Sequence, residues 1–172
     1  MRIALIGLLG MGLAFGAQAQ ETSGQEAGSD KTTSDMAGCL YQGDMLGHSR
    51  DGCVGLMAKP CLDDAVSTRD MINCVGVETE FWDTRLNETY KALRAVYIEN
   101  DGYEPDSYVQ LAPLLKTTQL AWIEWRDAKC KGFETYRYRG GTLGRVTAAD
   151  CLMTMTAERV FELEDLLAEA RM

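Results

Sequence analysis

Apolar and polar positions change their rhythm several times along this chain, and each change marks a segment. Residues 3–15 are an almost unbroken apolar run behind Met1 and Arg2, and Ala17-Gln18-Ala19 follows before the chain turns polar. A positive start, a short apolar core and a small-residue exit predict a secretory leader over residues 1–19. Residues 20–35 are Glu, Thr, Ser, Gly, Gln and Asp with hardly an apolar side chain, which predicts a flexible linker unable to bury enough surface to order itself. The domain proper then spans residues 36–172.

Within it, two short cysteine-bearing segments, 36–47 and 52–60, flank a turn-like stretch that contains His48. Ser67-Thr68-Arg69-Asp70 has the form of a capping box, so a long helix is expected to start there. Met71, Val75, Phe81 or Trp82, Leu86, Tyr90, Leu93 and Tyr97 recur at helical spacing and lie on one stripe, until Asn100-Asp101-Gly102 ends it. Pro113 suits the first turn of a second helix, whose Leu115, Gln119, Trp122, Ile123 and Arg126 lead to a stop at or before Gly132. A loop with Tyr136, Tyr138 and Gly140-Gly141 precedes a second capping box, Thr147 to Asp150, and a third helix with the stripe Leu152, Met155, Val160, Leu163, Leu166 and Leu167. No stretch alternates with the β-branched character of a strand. The predicted fold is all-α: a disulfide-stapled helical bundle with a long antiparallel helix hairpin and a C-terminal third helix. Trp82, Trp122 and Trp125 are expected in its core, as are Met71, Met153 and Met155.

Six cysteines, Cys39, Cys53, Cys61, Cys74, Cys130 and Cys151, all follow the leader, and an even set in a small exported chain implies disulfides. Zinc is disfavoured, because the closest pair is Cys53 with Cys61 and His48 is the sole histidine. Cys130 at the end of the second helix should meet Cys151 at the start of the third. Cys61 before the first long helix can fold back onto Cys74, leaving Cys39 with Cys53; Cys39–Cys61 with Cys53–Cys74 fits almost as well.

The chain carries 17 basic and 26 acidic residues, a formal charge of −9. By net charge alone, nucleic acid and anionic membranes are poor partners and a basic protein is a favourable one. No segment after the leader approaches the roughly 20 apolar residues of a membrane span, and no cysteine at the leader's end could carry a lipid. The expected location is therefore the periplasm or the exterior.

A hairpin turning near residue 104 sets Asp83 opposite Arg126 and Tyr90 opposite Gln119. A carboxylate and a guanidinium between helices are tolerable only as a hydrogen-bonded pair, which predicts a core network that fixes the register. The same words carry a resemblance. Cys74 with Glu78, Trp82-Asp83, Leu86-Asn87 and Tyr90, then Gln119, Trp122, Arg126-Asp127 and Cys130, then Gly140-Gly141-Thr142, Cys151, Thr156 and Arg159, resemble the LprI-like lysozyme inhibitor family in order and separation. The likeness covers residues 53–167. It departs at Thr142, where serine commonly follows the glycines, and in lacking the lipid-bearing cysteine of the family's namesake.

That resemblance implies a protein-binding module, with a basic lysozyme-type hydrolase as partner. The stretch 133–146, closed by Cys130 and Cys151 and holding Tyr136 and Tyr138, is the first candidate contact, although Arg137, Arg139 and Arg145 make it basic. Tyr103 and Glu104 in the acidic connection 99–106 are the second. A structural envelope role is one rival. The other is a glycan hydrolase using Glu78, Asp83 and Glu124, disfavoured because no nucleophile, metal cluster or phosphate loop accompanies them. No catalytic residue, cofactor or metal is predicted, and the pattern does not set an oligomeric state.

Overall fold

The computed structural model of the chain describes residues 23–47, 49–103 and 109–172. The expected leader, His48 and Glu104 lie outside the described residues. Among those described there is no strand, and five α-helices follow one another: α1 (Ser23–Leu46), α2 (Lys59–Asp63), α3 (Thr68–Tyr103), α4 (Leu111–Asp127) and α5 (Thr142–Ala170). A 3-10 turn at Arg50–Cys53 joins α1 to α2, and a π-helical segment, Ala128–Glu134, prolongs α4.

The α3 start is where its capping residues place it. The Asp70 amide donates to Ser67 Oγ at 3.2 Å, and the Ser67 hydroxyl donates to the Asp70 carboxylate at 2.7 Å. From there Cys74, Val75, Glu78, Trp82, Leu86, Thr89 and Leu93 form the buried face. The largest interface is between α3 and α5, not between α3 and α4. Trp82 is wholly buried and meets the Phe161 ring edge-on at 5.4 Å, while Arg85, one turn further on, pairs with Glu164 at 2.6 Å. Contacts thus advance together along the two helices, so α5 runs parallel to α3. Because α4 returns antiparallel to α3, α5 is wedged along both, and from Met153 to Leu163 it is buried on nearly every side. That leaves α4 as an outer helix with only Ala112, Leu115 and Gln119 buried, and Trp125 is 57 % exposed where a core position was expected.

Other boundaries differ from the expectation for identifiable reasons. Helix α1 starts at Ser23, inside the stretch read as a linker, and Met36 and Leu40 bury themselves in the common core. Once Cys39 is bonded to Cys53 and those two side chains are anchored, the preceding polar residues continue an existing helix instead of nucleating one. Thr147 does not start α5. Its hydroxyl donates back to the carbonyls of Leu143 and Gly144, each at 3.1 Å, as a mid-helix threonine does. The chain reverses earlier because Arg139 (φ 57°) and Gly140 (φ 68°) adopt left-handed conformations, so that Gly141 already caps α5. The α-helical hydrogen bonding of α4 stops at Asp127, before Gly132, and π-helical turns run on through the glycine.

The disulfides are Cys39–Cys53, Cys61–Cys74 and Cys130–Cys151, which decides between the two N-terminal pairings. Each closes a loop of about 13 to 21 residues, for which chain entropy predicts about 3 kcal/mol.

The last bridge works with Gly144. A Cβ there would stand 2.3 Å from the Thr135 carbonyl oxygen, so only glycine lets α5 start against the end of the π-helical segment. Gly144→Ala is therefore expected to cost about 1–3 kcal/mol, despite alanine's better helix propensity, as a lowered Tm in calorimetry. A Tm at or above that of the parent would show that this approach is not a constraint.

Candidate functional site

Residues that share a face of α3 divide into those that build the core and those that open onto a groove. Glu78 belongs to the first group. It lies one helical turn beyond Cys74, is 0 % exposed, and accepts from the amides of Gly55 (2.7 Å), Met57 (2.9 Å) and Ala58 (2.9 Å) and from the Trp82 indole (2.9 Å). No lysine or arginine is among these donors; amides that precede α2, together with one indole, satisfy the carboxylate. Its place is in the core. Asp83 and Glu124 are exposed whereas Glu78 is buried, so the carboxylates weighed for glycan chemistry do not share one surface.

The anticipated Asp83–Arg126 and Tyr90–Gln119 contacts are not formed. Arg126 donates to the neighbouring Asp127 from Nε (3.1 Å) and Nη2 (3.0 Å), reaches Thr156 Oγ1 at 3.4 Å, and lies 5.0 Å over the Trp122 ring. Gln119 accepts instead from Arg159 Nε on α5 at 3.0 Å, and Arg159 is itself tied to Glu162 at 2.6 Å. A network does join the helices, but it links α4 to α5. The member that the hairpin geometry left out is the buried Arg159, whose signal in the sequence was its place among the family words with Cys151 and Thr156.

Asp83, Asn87 and Tyr90 remain on the α3 side. Asn87 donates to the Asp83 carboxylate at 3.1 Å and to its carbonyl at 2.8 Å. Between this pair and Arg126 runs a groove made of two adjoining hollows, of about 490 and 250 Å3, both bordered by Asp83 and Arg126. Leu86, Leu120 and Ile123 line the smaller hollow and Leu152 the larger, with Lys116 and Lys131 on the α4 side. The hairpin register was therefore near enough to bring Asp83 and Arg126 to one groove. They border it without touching.

Asp127 holds Arg126 in place. Burial pushes its carboxyl upward, but hydrogen bonds from Lys131 (2.7 Å) and Arg126, together with their charges, outweigh this and hold it below the usual carboxylate range. Of the anticipated contact residues, Tyr103 is 75 %, Tyr136 73 % and Tyr138 37 % exposed, the last with the Arg137 guanidinium 4.7 Å from its ring.

Three disulfides tie the helices, the buried Glu78 carboxylate has its acceptor sites filled, and polar side chains border open grooves. The chain belongs to the lysozyme inhibitor LprI family, whose model matches residues 61–163. An uncharacterised protein of Rhizobium meliloti (strain 1021) is 32 % identical over 117 residues, covering 65 % of this chain and 82 % of the relative. An uncharacterised 17.7 kDa protein of Rhodobacter capsulatus is 27 % identical over 118 residues, covering 65 % and 72 %. No solved structure matches the chain. Inhibition is a binding role that needs a protein partner and no catalytic residue. The three disulfides suit an oxidising compartment.

Two outcomes follow from these contacts. Glu78→Ala strips the partner from three backbone amides and an indole, and should lower unfolding free energy by about 3–5 kcal/mol in urea titrations. A loss below about 1 kcal/mol would mean that water or another group replaces the carboxylate. The second concerns acid. Since the Asp127 pKa is lower in the folded chain than its ordinary value of 3.8, its contribution is present above that pH and is lost as pH falls through the depressed value. Asp127→Asn should therefore flatten the acid limb of a Tm-against-pH curve, and an unchanged limb would show that the pair is screened.

Proposed function

We propose that this protein is an exported inhibitor of basic lysozyme-type muramidases, acting in the periplasm or outside the cell, and that it presents the acidic end of the α3–α4 hairpin to the enzyme's cleft. The observation that carries this reading is the chemistry of that end. Residues 99–108 contain Glu99, Asp101, Glu104 and Asp106 and no lysine or arginine. Tyr103 stands out beside them, its hydroxyl donating to Glu99 at 3.2 Å.

The end is also braced. The Asp101 carboxylate accepts from the Leu111 and Ala112 amides at 2.8 and 2.9 Å, so the last turn of α3 caps the first turn of α4. An aromatic side chain in an acidic stretch, on helix ends tied together by Asp101, suits a positively charged cleft at low entropic cost. The segment 133–146 suits a basic enzyme less well. It proves to be mostly helical, with Arg137, Arg139 and Arg145 around its turn.

The test is inhibition of a basic muramidase clearing a peptidoglycan suspension. Tyr103→Ala and Glu99→Lys should each weaken inhibition by about tenfold or more while leaving Tm unchanged. The on-rate of the parent should fall several-fold between roughly 10 and 150 mM salt. Undiminished inhibition by both variants, with loss on Asp83→Ala, would move the contact to the groove.

A further inference from the structure

Net charge conceals a second pole. Between residues 125 and 145 there are six cations, Arg126, Lys129, Lys131, Arg137, Arg139 and Arg145, against two carboxylates, Asp127 and Glu134; the rest of the chain has 11 cations against 24 carboxylates. These residues gather where α4 ends and α5 begins, the opposite end of α4 from the acidic hairpin end. At about 1.5 Å per residue, the 17 residues of α4 separate the poles by about 25 Å.

The basic pole also exposes large apolar side chains. Trp125, Phe133, Tyr136 and Leu143 are each more than half exposed. Arg126 and Lys131 are answered by Asp127, and Arg137 by Glu134 at 2.8 Å. Asp150 and Glu158 share an adjacent cavity with Lys129 and Arg137. Among the described residues Lys129, Arg139 and Arg145 have no ion pair, and Lys129 lies 5.5 Å over the Trp125 ring. The pole is rigid: Cys130–Cys151 ties its two helices, and the amides of Arg139, Gly140 and Gly141 donate to the carbonyls of Tyr136, Thr135 and Tyr138 at 2.8, 3.2 and 3.1 Å.

We propose that this pole docks the protein on an anionic phospholipid surface. Cations at headgroup height and rings able to enter between headgroups are the two signatures of interfacial binding, and here they occupy one corner. A purely polyanionic partner would use Arg139 and Arg145 but would leave Phe133 and Leu143 without a role. The remaining surface is strongly acidic and is repelled by the same bilayer, so only one orientation is favourable. It points the acidic hairpin end away from the membrane. The docking itself does not depend on the inhibitory reading, and its assay contains no muramidase.

The experiment uses the protein as exported, with vesicles of mixed phosphatidylglycerol and phosphatidylcholine and, as control, phosphatidylcholine alone. Trp82 is buried and Trp122 partly covered, so a blue shift of tryptophan emission on binding reports chiefly Trp125. The expected result is co-sedimentation and a blue shift with the anionic vesicles only, both lost in high salt. The pair Arg139→Glu with Arg145→Glu should weaken partitioning by about tenfold or more, and Phe133→Ser with Leu143→Ser should abolish the shift, with Tm preserved. Every variant lacks the predicted leader and carries the same segment from Gln20 onward, so any contribution from that segment cancels. Absence of binding at low salt overturns the proposal. So does binding that survives charge reversal, or equal binding to a soluble polyanion without the shift.

Discussion

A carboxylate buried without a cation is the constraint around which this molecule is arranged. Removing Glu78 from water is tolerable only because three amides and an indole are already aimed at it, and each of those donors belongs to a part of the chain that must then stay in place. Gly55, Met57 and Ala58 form the turn that leads into α2, and Gly55 reaches its position with φ 93°. With that turn fixed, Cys53 and Cys61 lie on either side of it, each bonded to a cysteine on a helix, Cys39 on α1 and Cys74 on α3. Hydrogen bonds and disulfides thus enforce the same docking of the N-terminal third onto α3. The fourth donor works in the other direction. Its bond to Glu78 orients the Trp82 indole, whose ring then receives Phe161 and so sets where α5 packs.

The features legible in the sequence were those decided locally or by chain connectivity. Ser67 and Asp70 form their cap with residues at hand, and the apolar stripe of α3 follows from spacing alone. Cys130 just beyond α4 and Cys151 on α5 belong to elements consecutive in the chain and had little choice of partner. The same capping motif at Thr147 failed because contacts outside the motif won. A left-handed turn at Arg139 and Gly140, and the close approach allowed by Gly144, start α5 a turn and a half earlier. Propensity is a weak prior against such tertiary contacts.

The site was misread for a related reason. A two-helix hairpin gives each inward residue one possible neighbour, and under that assumption Asp83 must meet Arg126. A third helix packed parallel to α3 gives α4 a choice. Gln119 and Arg126 turn to Arg159 and Thr156 on α5, and Asp83 is left to the groove with Asn87. Sequence spacing can state which residues share a face. It cannot state which of two neighbouring helices that face will meet, because that depends on the helix order in space. The exposed Trp125 has the same origin: α4 became an outer helix once α5 had taken the centre.

Charge is where the fold adds most to what composition can say. The net charge of −9 treats the chain as a uniform anion, but with screening over roughly 8–10 Å in physiological salt a partner responds only to the patch nearest it. The two ends of α4 are about 25 Å apart, more than two such lengths, and carry opposite signs. Each end therefore presents its own electrostatics to whatever approaches it. An acidic aromatic end and a basic aromatic end on one disulfide-locked body can face two different partners at once. No flexible element is required for this, because the geometry is set by a single helix. The pattern of cations and carboxylates along α3, α4 and α5 is thus better read as two surfaces with separate roles than as one acidic coat that keeps the protein in solution.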